Sequence, residues 1–369
     1  MKQENKNSVL RFFQFKENPF GHGGEKRNSQ VSAILKKHSL PYRQITPDWE
    51  SYSALKKINH ITKWPFKGTS TSHYSSCYNK IVEPGKALSF REKLLRESGN
   101  SKIFFWESTF PRDYFALGAA RSAGLKVVAL PHNLESLVPN PTPSNIRPGK
   151  AAHFNNEIKV LSQCDAVFTI SHEETWLLKL FDINAHFLPY YPTSETLDYL
   201  KDIREVRKEL PQEGYLIMGS AGNYPTQKGI LELIETVGNS IQLETFKIAG
   251  FGTEQFRKSV QPYLNIQLLG ELSNQQLFSE IASTKGVIIH QPPTTGMITR
   301  ITELLIAGVP VICNYISARS YYGVEGIHIY QKKEDLRELV KAPLPVPPSP
   351  KSIEKWEKHF ISILEELNK

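Results

Sequence analysis

Residues 286–314, GVIIHQPPTTGMITRITELLIAGVPVICN, hold a strand, a turn, a helix and a second strand in one run. GVIIHQ and PVICN are apolar stretches of strand length, and ITRITELLIAG between them has helical spacing. Gly308 stands where a helix C-terminus favours glycine. A helix between two apolar strands implies parallel pairing, with helices covering both faces of the sheet. Open parallel sheets bind ligands outside the carboxyl ends of their strands. The turn that follows His290, which contains Gly296, is therefore expected to face a ligand. Thr295 or Thr299 is expected to cap the helix. Arg300 and Glu303 lie one helical turn apart and share a face near its start. An arginine there can fork onto a diphosphate, and a carboxylate can accept both hydroxyls of a ribose. The bland alternative is a surface ion pair worth about 0.2–0.5 kcal/mol.

Upstream, the same alternation repeats. GYLIMGSAG (214–222) reads as a strand entering a glycine-rich turn, and QKGILELIETVGN (227–239) as its helix. Gly219 and Gly222, with Ser220 between them, would let the backbone approach a phosphate at a helix N-terminus. Lys228 adds a point charge near the helix start. TFKIAGFG, IQLLGEL and GIHIY supply further strands, and SNQQLFSEIAST and KKEDLRELVKA further helices. The first half of the chain follows the same rule. SVLRFFQF (8–15) is a strand, the stretch around Gly23 and Gly24 a glycine-rich loop, and SQVSAILKKH (29–38) a helix. KIFFWES, LKVVALPHN, DAVFTIS and AHFLPYYP are strands. PRDYFALGAARSAG is a helix ended by Gly124; further helices lie near 149–162 and in HEETWLLKLF. Between 40 and 100 only 49–64 has helical spacing, and the serine-rich stretch 68–80 reads as a loop.

A charged helix, 194–210, separates the two series. The proline-rich stretch 343–352 predicts an extended spacer before a last amphipathic helix, 353–368. The expected organisation is two doubly wound α/β domains, 1–195 and 196–345, with 346–369 packing back on the first.

The bulk properties agree with a soluble α/β protein. The chain has 369 residues, 40% of them hydrophobic, with 19 Phe, 15 Tyr and 5 Trp to fill large cores. Its longest apolar runs are strand-sized, against about 20 residues for a membrane span. The N-terminal stretch lacks a signal-peptide pattern, and Cys77, Cys164 and Cys313 show no CxxC spacing. They read as reduced thiols, and the expected location is the cytoplasm. The formal charge of +8 is spread along the chain without an arginine-rich tract. Nucleic acid is therefore not an expected partner. An anionic leaflet, to which each nearby basic group adds about 1 kcal/mol, is kept as a peripheral contact at the inner membrane surface. There is no Asp-x-Asp and no clustered His/Cys set of zinc type, so no metal is expected.

ITELLIAGVPVI (301–312) resembles the glutamate-to-Gly-x-Pro-Val-Ile segment of the retaining glycosyltransferase family 4 and its relatives. PHNLE (131–135), FGHGGEKR (20–27), the Lys-Gly pair 228–229, DAVFTISHEE (165–174) and LPYYP (188–192) resemble other segments of that family, in family order. The resemblance spans most of the chain outside 40–100. It implies the GT-B fold: two Rossmann-like domains facing a cleft, with a C-terminal helix crossing back to the first. It further implies metal-free, retaining transfer of a hexosyl group from a nucleotide-diphosphate-sugar, a co-substrate with no cofactor beside it. The acceptor would be a saccharide, a lipid-linked sugar or a protein. Glu303 would hold the ribose, Lys228 and Arg300 the diphosphate, and His132 would lie against the donor sugar. Gly219, Ser220, Gly222, Gly296 and Thr299 would complete the donor pocket, and Gly23 and Gly24 would border acceptor and phosphate. Two positions depart from the pattern. Thr295 stands where the family often has a second glutamate, and 221–223 lacks the arginine that often precedes the lysine. A nucleotide-sugar 2-epimerase and a catalytically silent glycosyltransferase-like subunit are the alternative expectations.

Overall fold

The computed structural model describes residues 8–63, 77–107, 109–139 and 150–369. The serine-rich stretch predicted as a loop lies largely outside these. In the first half the elements are β1 (Val9–Phe12), α1 (Gly23–Lys37), β2 (Tyr42–Gln44), α2 (Ala54–Lys63), α3 (Cys77–Glu97) and β3 (Ile103–Trp106). They continue with α4 (Phe115–Ser122), β4 (Lys126–Ala129), α5 (Lys150–Leu161), β5 (Ala166–Thr169), α6 (His172–Lys179) and β6 (Ala185–Phe187). The six strands form one parallel sheet in the order β2-β1-β3-β4-β5-β6.

Helix α7 (Ser194–Arg207) leads to the second half. Its elements are β7 (Tyr215–Met218), α8 (Tyr224–Ser240), β8 (Phe246–Ala249), α9 (Arg257–Val260), β9 (Ile266–Gly270) and α10 (Asn274–Ser283). β10 (Gly286–Ile289), α11 (Thr299–Ile306), β11 (Val311–Asn314), α12 (Tyr315–Ala318), β12 (Ile327–Tyr330) and α13 (Lys333–Lys341) complete it. The second sheet is also parallel, in the order β12-β11-β10-β7-β8-β9. Counted from β7, this is the order of the dinucleotide-binding doubly wound fold.

The strands are short, the central ones are buried on both faces, and their side chains alternate between two cores. In β3, Phe104 and Trp106 enter one cluster while Ile103 and Phe105 enter the other. That second cluster also receives Phe360, Ile361 and Leu364 of α14 (Glu354–Asn368), the terminal helix. The chain end therefore packs back onto the first sheet, beside Val31, Ile34 and Leu35 of α1. In the second sheet, Val287 and Ile289 of β10 face the cluster containing Leu304 and Leu305 of α11, and Ile288 faces the cluster of α8.

Three expectations need correction. Helix α1 begins at Gly23, so the second half of the supposed glycine loop is already helical. The threonines do not cap α11: its N-cap is Ile298, with no side-chain cap bond. Thr295 Oγ1 instead donates to Leu134 O at 3.2 Å, across the cleft, while Thr299 is the first helical residue. Between 40 and 100 the chain forms β2 and the long α3, neither of which periodicity predicted. Pro84 and Gly85 inside α3 imitate a break in the sequence. At Gly85 a side chain would meet Ile61 Cγ1 at 2.8 Å and Trp49 at 3.0 Å from its Cβ, so glycine allows the close packing there.

Candidate active site

Each sheet reverses its strand order once, between β1 and β3 and between β7 and β10. Loops leave in opposite directions at such a point and open a crevice at the carboxyl edge. The two crevices meet in one cleft of about 1100 Å³. Of the residues singled out in the sequence, Gly23, Gly24 and His132 line it from the first half. Gly219, Ser220, Gly222, Thr299, Arg300 and Glu303 line it from the second. Lys228 and Gly296 do not. Lys228 is half exposed on α8, its Nζ 3.9 Å from Glu232. Gly296, at φ 78°, is buried beneath the lining, with its N–H given to Glu174 Oε1 at 3.0 Å.

The floor of the second half comes from tight backbone approaches. Asn223 caps α8, accepting from Thr226 N at 3.2 Å. Gly222 N donates to Ser220 Oγ at 3.3 Å, which closes the turn. Side chains at Gly219 and Gly229 would collide with Thr226 and with His290 O respectively. The glycine beside Lys228 thus lets α8 settle on the end of β10. His290 in turn is held by Tyr330 Oη at 2.6 Å and Glu232 Oε2 at 2.8 Å.

Arg300 and Glu303 turn to different partners. Arg300 Nη1 donates to Met218 O at 2.6 Å, and burial pulls the guanidinium below its ordinary pKa while Glu303 opposes the shift. Glu303 Oε2 meets Lys26 Nζ at 2.6 Å, and Oε1 accepts from Tyr190 Oη at 2.6 Å. Burial, then the charge of Glu303, pushes the Tyr190 phenol far above its usual range. Lys26 belongs to α1, so this ion pair joins the two halves across the cleft. Neither Lys26 nor Tyr190 was singled out in the sequence. Lys26 follows the glycine pair and Tyr190 lies within LPYYP, but their convergence on Glu303 depends on tertiary structure alone.

His132 follows β4, and its ring meets Phe15 edge to face at 5.5 Å. Burial, then Arg27 and His22, pushes its pKa down to about 3, so the imidazole is neutral. Its Nε2 is buried with no hydrogen-bond partner. Two buried carboxylates hold the loop after it. Glu174 Oε1 accepts from Leu134 N at 2.9 Å as well as from Gly296 N, tying the His132 loop to the loop before α11. Glu157 Oε1 accepts from Glu135 N at 2.8 Å and Oε2 from Ser136 N at 3.1 Å. Glu135 lines the cleft itself, and burial pushes its carboxyl up to about 7. At the start of α1, His22 Nδ1 accepts from Gly24 N at 3.2 Å and Glu25 Oε2 from His22 N at 3.2 Å, a reciprocal cap.

Among the described residues, no group of three or more His, Cys, Asp or Glu side chains is arranged to hold a metal ion. No described helix is long and apolar enough to cross a membrane.

No family model and no curated protein sequence matches the chain. Solved structures do. A sucrose-phosphate synthase from Thermosynechococcus elongatus superposes with a TM-score of 0.65 at 13% identity, over 98% of this chain and 99% of that one. A glycosyltransferase from Rickettsia africae gives 0.64 at 14% identity, over 99% of both chains. Anabaena HepE in complex with UDP and glucose gives 0.60 at 10% identity, over 97% of this chain and 99% of that one. With two parallel six-stranded sheets facing one cleft and a terminal helix returned to the first, the chain has the GT-B fold.

Proposed function

We propose that the protein is a glycosyltransferase that moves a hexosyl group from a nucleotide-diphosphate-sugar to a saccharide, lipid-linked or protein acceptor. The observation that carries this reading is the composition of the cleft. His132 of one half faces a cleft whose other wall supplies Arg300, Glu303 and the start of α8. The sugar and nucleotide complexes solved for structural neighbours agree with it: HepE with UDP and glucose, and an Arabidopsis starch synthase with ADP and acarbose. In this reading residues 196–345 bind the donor, 1–195 the acceptor, and 346–369 brace the first domain.

The diphosphate lies over Gly219–Gly222 and the N-terminus of α8, where backbone N–H groups and the helix dipole favour an anion. Arg300 neutralises charge as the glycosidic C–O bond breaks, and Lys228 joins it by leaving Glu232. Glu303 takes the ribose hydroxyls, while Thr299 and the Gly296 turn shape the sugar end. His132, held neutral, offers its unpartnered Nε2 to a sugar hydroxyl. Transfer proceeds with retention: the acceptor hydroxyl enters on the face the diphosphate leaves, and the leaving phosphate takes its proton. Protein catalysis then consists of positioning and of stabilising negative charge. No metal is invoked, because the sequence offers no paired aspartates to hold one.

Thermal shift with UDP-, GDP-, ADP-, TDP- and CMP-sugars tests the donor site. A donor at 100 times its Kd adds about 2.7 kcal/mol of stability. One nucleotide class is expected to raise the Tm, and Glu303→Ala and Arg300→Ala to abolish the rise. No shift with any donor would sink the reading.

A nucleotide-sugar 2-epimerase is the second reading, favoured by the Glu135 carboxyl that lines the cleft with its pKa near neutrality. Turnover of a nucleotide-sugar without any acceptor would decide for it.

A further inference from the structure

Glu303, on which the donor reading rests, is occupied in this structure by the protein itself. Both of its oxygens are engaged, one by Lys26 and one by Tyr190. The Lys26–Glu303 pair is largely shielded, with side-chain exposures of 16% and 9%. A ribose arriving at Glu303 must displace a charged partner, and the freed ammonium then lacks a counter-ion in a poorly solvated place. A nucleoside brings nothing to replace the carboxylate. A nucleoside diphosphate brings a polyanion one sugar away.

The other cations of the cleft have different occupations. Among the described residues lining it, three carry Lys or Arg charge: Lys26, Arg300 and Arg319. Arg300 donates to Met218 O, and Arg319 donates to Ile316 O and Gly296 O. Lys228 lies outside the lining beside Glu232. Among the imidazoles lining it, His132 is held neutral, burial also lowers the pKa of His290, and His22 Nδ1 accepts from Gly24 N. Lys26 is the cleft cation whose partner is the carboxylate that the ribose would take.

We propose that Lys26 is a donor ligand with two positions: on Glu303 it latches the empty cleft, and on donor entry it passes to the diphosphate as Glu303 passes to the ribose. This rests on the donor-site reading above. The four-carbon stem of Lys26 lets the ammonium turn from one end of the ribose to the other while α1 stays in place. The exchange leaves the ammonium paired with phosphate and the carboxylate hydrogen-bonded by ribose hydroxyls and Tyr190. It makes binding of the nucleoside depend on its phosphates, and it gives the first half of the chain a direct hold on the donor. Gly23, the first residue of the same helix, supports that placement: a Cβ there would stand 3.7 Å from Thr299 Oγ1.

Isothermal titration of the full-length protein with UDP, GDP and ADP, and with uridine, guanosine and adenosine, tests the exchange in wild type, Lys26→Met and Lys26→Arg. For the diphosphate that wild type binds, Lys26→Met is expected to lose about tenfold or more in affinity, the scale of one charge-assisted hydrogen bond. The same variant is expected to bind the matching nucleoside as well as wild type or better, because the latch is gone. Lys26→Arg, which keeps the charge, should retain diphosphate binding and show that loss in the methionine variant is not misfolding. Unchanged or tighter diphosphate binding in Lys26→Met reduces Lys26 to a latch and overturns the proposal while the donor site stands. Equal losses for nucleoside and diphosphate make it a prop for Glu303 and overturn it too. Failure of wild type to bind any diphosphate takes down the donor reading together with the proposal.

Discussion

At the scale of single residues, the cleft is set by what burial does to its ionisable groups. His132 and Glu135 lie three residues apart on one loop and are pushed in opposite senses, the imidazole to about 3 and the carboxyl to about 7. Both end neutral near pH 7 or just below it, as expected where charge must leave water. The pKa of Glu135 lies above its ordinary 4.5, so the stability linked to its protonated form is complete below pH 4.5 and is lost as pH rises through about 7. Glu135→Gln removes that loss. Its Tm relative to wild type should therefore climb between pH 5 and 8, and a flat difference would refute the assignment. Glu157 and Glu174 face Glu135 and raise its pKa, Asn133 and Arg112 oppose them, and the curve will be broadened by that coupling. The sequence reveals His132 through its place after an apolar strand. It does not reveal Glu135 as distinct from a surface carboxylate, because burial comes from α5 and α6, which lie elsewhere in the chain. Lys26 and Tyr190 were illegible for the same reason.

At the scale of elements, period and turn chemistry were legible wherever strands are apolar and helices end in glycine. Gly124 and Gly308 end α4 and α11 at φ 81° and 73°, as their positions in the sequence imply. β2 escaped because its three residues, Tyr-Arg-Gln, are polar and partly exposed, and α3 because Pro84 and Gly85 imitate a break. Neither the sequence nor its periodicity announces what α7 does. Arg204 Nε donates to Ile306 O at 2.7 Å, at the carboxyl end of α11. Arg207 Nη1 donates to Ile281 O at 2.6 Å and Thr284 O at 2.8 Å, at the end of α10. Two helix ends that would otherwise keep unpaired carbonyls thus receive cations of the favourable sign. Arg207→Met keeps the apolar stem and removes the donors, and is expected to cost about 1.5–3 kcal/mol in denaturant unfolding. The m-value should not change. A loss below ~0.5 kcal/mol would mean that water satisfies those carbonyls equally well.

At the scale of the whole molecule, the fold was legible because two series of alternating strands and helices admit few arrangements. The contacts that join the two halves were not, since they are single polar contacts between distant stretches. Lys26 reaches Glu303, Thr295 reaches Leu134 O, and Thr196 Oγ1 reaches Pro19 O at 3.1 Å. Glu174 is a further bridge, 3% exposed and shared by Leu134 N and Gly296 N. It fixes the loop that carries His132 against the loop that leads into Arg300. Glu174→Ala leaves two buried N–H groups without an acceptor, each costing about 1–3 kcal/mol unless water reaches it. Opening the cleft admits that water, so the variant should relieve the cost by separating the halves. Small-angle scattering is then expected to give a larger radius of gyration for Glu174→Ala than for wild type, and a saturating nucleotide-sugar should narrow the difference. Equal radii with a lowered Tm would show instead that Glu174 stabilises the first half alone, with its contact to Gly296 incidental to closure.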